Sequence, residues 1–572
     1  MSVTTTKFFH SGGASKSYWV GTIDANLNYL FGGGVDSDDD NNYYFAAASS
    51  NGTPGNGLLL WKFKQDGTLL ASHEDATPTS AGSGNSFNNS YQMNKMTGIR
   101  TFKYGGSSTK NAIGIFGTTP TSSGGYPAPT FSMYNTDLTR KSFFHDYGGP
   151  CYGYHYKQPS SPSGYNNRLN EPYISNTSDI NTGTFADIAP DGSFMAGLGY
   201  DGYYGMLGCM YIGANNTSSG NLPQGAGFLY SSANAYPGRQ AFPGNNLTIE
   251  VVDGKPVILT GGISLSRQPY CGSFLVNNPT SNSVMPSTWM QSWHGVAAST
   301  QMQDTKVGTS IALTTLGPNK YNTLYTQTHW SYYRTQYLYR LELTDGVHSD
   351  GSGYTNYAWQ SATMNPSGAS TSSTYDILVH DIAGDPTGDS FYLLYQAKGT
   401  YLMPDSQNHD GAWYIAKYTH GGSNATLQWS KRISRAKNAP VNAYASNTTS
   451  SNQWTGKIRC DQDGDLMFQL AWKVSSPTQK IEYGVGVLPA DGAGISDGTY
   501  GDYYIMDPHN SYGNTPVDFS NWSNQTRNIS NMNSYTSSYY YASNNDTFRT
   551  DRLTPAFSGY QAHLNSAATN VV

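Results

Sequence analysis

The feature that most limits how this chain can fold is a recurring unit: a strand, a tight turn rich in Asp, Asn and Gly, and a second strand. The fullest copy runs from Tyr375 to Ile433. Tyr375 to Asp381 alternates apolar and polar side chains, Asp385-Pro386-Thr387-Gly388-Asp389 supplies a turn, and Phe391 to Tyr395 alternates again. That is the pattern of two antiparallel strands. Trp413 to Tyr418 and Leu427 to Ile433 form a second pair around Gly421-Gly422-Ser423-Asn424, which supplies the positive-φ residues of a hairpin turn. Four strands in an up-and-down meander predict one blade of a β-propeller.

The inner hairpin of this unit recurs at Phe185 to Tyr200, Ile249 to Ile263 and Lys457 to Trp472, and in more degenerate form at Ile99 to Gly117 and Asp38 to Ser50. The outer hairpin recurs at Leu58 to Ser72, Pro129 to Phe144, Gln336 to Gly346 and Tyr483 to Gly492. Inner hairpins start near residues 30, 95, 182, 247, 305, 373 and 455. The expected fold is therefore all-β, a propeller of about seven four-stranded blades, with six to eight compatible with the drift between copies. The units exceed the roughly 40 to 50 residues of a compact blade. Their excess is Ser, Gly, Asn and Pro, as in Thr77 to Ser90, Lys157 to Pro172 and Gly213 to Gly227, which reads as surface loops on one scaffold.

A ring of sheets has to seal its last edge. Tyr18-Trp19-Val20-Gly21-Thr22-Ile23 precedes the first inner hairpin and has no blade of its own, so it is expected to pair with the last one. The propeller is thus assigned to residues 1–510. Residues 511–572, which include Tyr539-Tyr540-Tyr541, are read as an eighth blade or a C-terminal extension.

Composition narrows the class. Charged residues are 12% of the chain and aromatics 14%, with Gly (63) and Tyr (46) heavily used. Such a chain is poor in helix formers and too aromatic for disorder. The net charge of −6, with no cluster of Lys or Arg, speaks against nucleic acid as a partner. Met1 to Gly13 lacks the apolar core of a signal peptide, and no run approaches the roughly 20 apolar residues of a membrane span. Cys151, Cys209, Cys271 and Cys460 stand singly, a spacing that fits free structural thiols.

Catalytic and metal signatures are thin. The Gly197 to Gly202 string leads into strand pattern instead of a helix, and Gly494-Ile495-Ser496-Asp497-Gly498 lacks the strand-then-helix context of a nucleophile elbow. Asp461-Gln462-Asp463-Gly464-Asp465 resembles a calcium loop, but Trp472 stands where the completing Glu belongs, so a β-turn is preferred. Asp36, Asp38, Asp39 and Asp40 read as a solvated turn. His380 reads as a neutral core histidine on an inner strand. No catalytic residue, cofactor or metal ligand is assigned. Candidate recognition residues are the clustered aromatics Tyr154, Tyr156, Tyr203, Tyr204, Trp330, Tyr332 and Tyr333. Tyr and Trp present stiff faces with polar tips, suited to sugars or protein loops, although the same rings also serve to fill gaps between blades.

The phrase WYIAKYTHGGSNATLQWSKRI (Trp413 to Ile433) resembles a repeat of propeller-like virion and tail-fibre proteins of marine bacteriophages. VGVLPADGAGISDGTYGDYYI (Val485 to Ile505) is similar to a segment that ends the propeller in that group. The resemblance spans about residues 370 to 510 and is thematic upstream. It implies a non-enzymatic virion structural protein, a tail or tail-fibre component acting in assembly and host attachment and located in the virion. Its implied partners are other virion proteins and a host-surface glycan or protein, and it implies a homo-oligomer. The alternatives are a carbohydrate-active propeller enzyme and a capsid or adaptor part.

Overall fold

A computed structural model describes thirty-three strands and the tight turns joining them, within residues 2–524. Longer connections, among them 76–94, 146–184, 212–225, 231–246, 276–290, 398–412 and 436–455, and residues 525–572, lie outside the described residues. The strands make seven antiparallel sheets. Sheet I holds Tyr29–Ser37, Tyr43–Ser50, Gly57–Phe63 and Leu69–Asp75, and sheet II holds Lys95–Phe102, Ala112–Thr119, Ala128–Asn135 and Arg140–His145. Sheet III runs through Phe185–Ile188, Phe194–Tyr200, Gly205–Tyr211 and Ala226–Tyr230; sheet IV through Leu247–Val252, Lys255–Ile263, Pro269–Leu275 and Gln291–His294.

The last three sheets carry additions. Sheet V joins Met302–Ser310, Lys320–His329, Gln336–Thr344 and Ala358–Pro366, and receives Val517–Phe519 and Ser523–Asn524 at its far edge. Sheet VI joins Ile377–Gly384, Ser390–Ala397, Trp413–Thr419 and Thr426–Arg435, and then the hairpin Gly498–Tyr500 and Tyr503–Met506. Sheet VII contains Lys457–Cys460, Leu466–Val474 and Lys480–Leu488, completed by Tyr18–Leu27 and Ser2–Phe8. The amino-terminal strand thus lies against the last meander, in the register Trp19↔Val487 to Ile23↔Tyr483.

The first, or lead, strand of each sheet falls close to where the inner hairpins were expected. Neighbouring sheets meet through these strands in succession: I with II, II with III, III with IV, IV with V, V with VI, VI with VII, and VII with I. The burial pattern follows. Along Tyr43–Ser50, Tyr43, Phe45 and Ala47 enter a core shared with sheets VI and VII, while Tyr44 and Ala46 enter one shared with sheet II. Leu59, Trp61 and Phe63 point to the first core, and Leu58 and Leu60 to the second. A sheet covered on both faces needs apolar residues at successive positions, which is why Leu58-Leu59-Leu60-Trp61 is a continuous apolar run.

Tight turns join the first two strands of several sheets. Asp38, Asp385 and Asp461 open three of them, and each carboxylate folds back onto amides two to four residues later: Asp40 and Asn42 on Asp38, Thr387 on Asp385, Asp463 and Asp465 on Asp461. Short polar side chains stabilise turns in this way.

Candidate functional site

Where the lead strands converge, just before these turns, buried charges link three sheets at a time. Arg100 of sheet II donates from Nε to Asp187 Oδ1 of sheet III at 2.9 Å and pairs through Nη2 with Oδ2; Nη2 also reaches the Ile249 carbonyl of sheet IV at 2.8 Å. The same Asp187 carboxylate accepts the Ile249 amide at 2.9 Å. The arrangement repeats elsewhere. Arg459 of sheet VII stands 3.3 Å from Asp36 of sheet I, and Asp36 accepts the Thr101 amide of sheet II at 2.5 Å and the Thr101 hydroxyl at 2.9 Å. Asp381 of sheet VI accepts the Ile458 amide of sheet VII at 3.0 Å.

Burial by itself would raise the Asp36 carboxyl, but Arg459, Lys110, Arg100 and the Thr101 amide hold it below the ordinary aspartate range. It is therefore an anion whose cost of leaving water is offset by cations and an amide. Chemically, these carboxylates fasten sheets to one another. Their oxygens are already engaged.

The adjoining turns mesh. Tyr43 donates to Asp461 at 3.1 Å, Asn41 to Asp463 at 2.9 Å, Tyr392 to the Gly464 carbonyl at 3.0 Å, and Lys417 pairs with Asp385 at 2.8 Å. Burial, reinforced by Asp461, pushes the Tyr43 phenol far up, and burial does the same to Tyr392, so both stay neutral donors. Asp461 to Asp465 is a turn in which Asp461 holds two amides and the Tyr43 hydroxyl, and Asp465 holds the Ala490 amide. Among the described residues no group of three or more His, Cys, Asp or Glu is placed to hold a metal ion. Partly buried Cys460 lies close by. Desolvation pushes its thiol well up, and Asp385 and Asp461 push the same way. His380 is buried, its ring 4.5 Å from that of Trp413. After Gly494-Ile495-Ser496-Asp497-Gly498 comes the short strand Gly498–Tyr500, not a helix.

The seven aromatic candidates lie outside the described residues, but the strands that flank them are described. Tyr154 and Tyr156 fall between the fourth strand of sheet II and the lead strand of sheet III. Tyr203 and Tyr204 fall between the second and third strands of sheet III, and Trp330, Tyr332 and Tyr333 between the second and third strands of sheet V. Sequence reasoning missed Arg100, Asp187, Asp381 and Arg459, and its reading of Asp36 and Asp38 as part of a solvated turn is corrected: Asp36 lies buried on the lead strand of sheet I and Asp38 is buried at the start of the turn. A signal was present in the Asp that precedes the turn in GGVDSDD, FADIAPDG and LVHDIAGD.

No protein-family model matches this chain, and no curated protein matches it. Solved structures do align. An α-L-arabinanase of Penicillium chrysogenum complexed with arabinobiose is 9% identical over 86% of this chain and 99% of its own, with a TM-score of 0.36. The Dos1 propeller is 9% identical over 81% and 94%, with a TM-score of 0.33. A glucose dehydrogenase is 12% identical over 69% and 98%, with a TM-score of 0.27.

The expectation of a tail or tail-fibre component acting in assembly and host attachment is corrected here. None of the aligned structures named is a phage protein. The physical reason lies in the wording that suggested it. Lys417 Nζ and Trp429 Nε1 both donate to the Ala490 carbonyl at 3.1 Å, and a Cβ on Gly492 would meet the Trp429 ring at 2.6 Å. The Lys, Trp and Pro-Ala-Asp-Gly phrases thus form one packing unit joining sheet VI to the segment that leaves sheet VII. They report how two sheets fit, not what the protein attaches to.

Proposed function

We propose that the chain is a β-propeller of seven blades, sealed by pairing of Tyr18–Leu27 with Lys480–Leu488, and that it is carbohydrate-active. Succession of the lead strands from sheet I round to sheet VII supports the ring. The functional reading is carried by connectivity. In an antiparallel meander, the turns between first and second strands leave from one edge, and the connections from second to third strand and from fourth strand to the next sheet leave from the other. The interlocking Asp turns belong to the first class. All seven aromatic candidates, Tyr154, Tyr156, Tyr203, Tyr204, Trp330, Tyr332 and Tyr333, belong to the second.

Loops held by a rigid scaffold are where binding residues concentrate, and flat aromatic faces with polar tips suit the apolar faces and hydroxyl rims of sugar rings. A glycan engaged on that edge is the substrate class this supports. The lead-strand carboxylates Asp36, Asp187 and Asp381 are not its catalytic groups, because each is committed to an amide of the neighbouring sheet.

The test is incubation of the purified protein with a panel of polysaccharides, following both retention and new reducing ends, beside a Tyr203→Ala/Tyr204→Ala variant and a Trp330→Ala variant. Retention lost in the variants upholds the reading. Release of reducing ends further makes it a hydrolase, and retention without release makes it a binding module. No retention and no release on any polysaccharide overturns it.

A further inference from the structure

The chain does not stop at the last strand of sheet VII. It continues through 489–497 to the hairpin Gly498–Tyr500 and Tyr503–Met506, which pairs backwards with sheet VI in the register Arg432↔Met506 to Arg435↔Tyr503. The route is pinned to sheet VI. Ala490 takes the Lys417 and Trp429 donors, and Lys431, fully buried, donates to the Ile495 carbonyl at 2.6 Å and to Asp507 at 2.5 Å.

The tip of this hairpin meets the two amino-terminal strands. Thr22 Oγ1 lies 2.8 Å from Asp502 Oδ2 and 3.0 Å from the Tyr503 hydroxyl. The Tyr500 and Phe8 rings are 5.0 Å apart. Gly501 has φ +60°, and a Cβ there would lie 2.4 Å from Thr6 Oγ1 and 3.1 Å from Thr6 Cβ. Arg435 of sheet VI pairs with Glu482 in the last strand of sheet VII and sits 5.9 Å over the Tyr503 ring.

We infer that the hairpin of residues 498–506 is a clasp that holds the amino-terminal strands in sheet VII, so that clasp and strands open as one unit. Two facts carry this. Tyr18–Leu27 is attached to sheet VII by backbone pairing with a strand more than 450 positions away in the chain, and an element held by such long-range pairing opens locally unless other contacts tie it down. The tie is supplied by the hairpin, which is covalently continuous with Lys480–Leu488, backbone-paired to sheet VI, and bonded by side chains to Thr22. Ser2–Phe8, whose strand partner among the described residues is Tyr18–Leu27, goes with them.

Hydrogen exchange of the full-length protein tests this, with Thr22→Val removing the hydroxyl at nearly constant volume. Loss of the partly buried hydrogen bond to Asp502 and the buried one to Tyr503 corresponds to exchange faster by about tenfold. The acceleration is expected in residues 18–27 and 498–506 together, with Tyr43–Ser50 of sheet I unchanged. A Tyr500→Ala variant, which removes the ring packed 5.0 Å from Phe8, gives a second reading: exchange should rise in residues 2–8 and 18–27 together with 498–506. Acceleration confined to one of the two segments, acceleration spread evenly over all sheets, or a Tyr500→Ala variant that leaves residues 2–8 and 18–27 unchanged would overturn the clasp.

Discussion

Two ties of the same make join lead strands in this molecule, and they differ in how far they are removed from water. In the Arg100 and Asp187 pair the side chains are 5% and 7% exposed; in the Arg459 and Asp36 pair they are 24% and 4% exposed. Geometry differs in step. Arg100 grips its carboxylate through two nitrogens and extends to the next sheet, whereas Arg459 stands at 3.3 Å and shares Asp36 with the closer Thr101 amide and hydroxyl. One motif therefore serves two purposes. Dry, it forms a joint that neither partner can leave; wet, it is a trim on a carboxylate already held by hydrogen bonds.

The comparison breaks most sharply at Asp187. Asp187→Ala leaves the Arg100 guanidinium buried without its counter-charge, which costs about 3–5 kcal/mol. Chemical denaturation should show that loss, together with faster exchange in Lys95–Phe102 and Leu247–Val252. Replacing both partners by apolar side chains, Arg100→Met with Asp187→Leu, should cost much less than the single change. A double variant as unstable as Asp187→Ala would mean that the carboxylate matters for its amide contacts and not for its charge.

These ties show which parts of the molecule sequence could give. Lead strands and their turns were legible because alternation and Asp-Gly turn chemistry act over a few residues: FADIAPDG announces Phe185–Ile188 and its turn with no help from elsewhere. The amino-terminal strand was legible for another reason. Tyr18 to Ile23 had strand character and no partner nearby, so the open edge at the far end of the array was its natural place, and Trp19 does face Val487. The ties were not legible. Arg459 and Asp36 sit at opposite ends of the chain, and nothing in either neighbourhood says which cation meets which carboxylate. The pairing of Gly498 to Met506 was not legible for a similar reason: the segment follows the last meander, yet its partner strand is Thr426–Arg435 of the sheet before. Ser2 to Phe8 gave no strand signal beyond its threonines, and it pairs only because Tyr18–Leu27 offers an edge.

At the wet tie, acid sharpens the comparison. The folded state holds the Asp36 carboxyl below its ordinary range, against about 3.9 for an unperturbed aspartate. Its contribution is therefore complete above the unfolded value and fades as pH falls through the folded one. Asp36→Asn keeps the shape and removes the charge, so at neutral pH it should cost about 1.5–3 kcal/mol, the worth of hydrogen bonds to an ionised acceptor. Denaturation midpoints of parent and variant should converge as pH drops below about 4. A gap that stays constant down to strongly acid pH would assign the effect to packing.

Arg459→Ala should cost less, about 1 kcal/mol, because its partner keeps the Thr101 donors and Arg459 is partly hydrated in the folded protein. If it proves as costly as Asp187→Ala, exposure is not what separates the two ties.

The limit of the series lies on the outer edge of sheet VII. Lys7 and Asp66 make a 2.8 Å ion pair whose side chains are 45% and 39% exposed. The Asp66 carboxyl is held well below its usual range, first by its hydrogen bond from Lys7 and then by the Thr68 side chain. Taken at face value, that depression would suggest a strong tie. Solvent screening argues otherwise: pairs this exposed contribute about 0.2–1 kcal/mol, and Asp66 keeps the Thr68 amide at 3.0 Å when Lys7 is gone. Lys7→Ala should therefore shift the denaturation midpoint only slightly, and raising the salt concentration should erase the difference from the parent. The Arg100 pair, shielded by three sheets, should keep its worth in the same salt series, so a Lys7 effect that survives salt would place the outer pair with the buried one and dissolve the distinction between dry and wet ties.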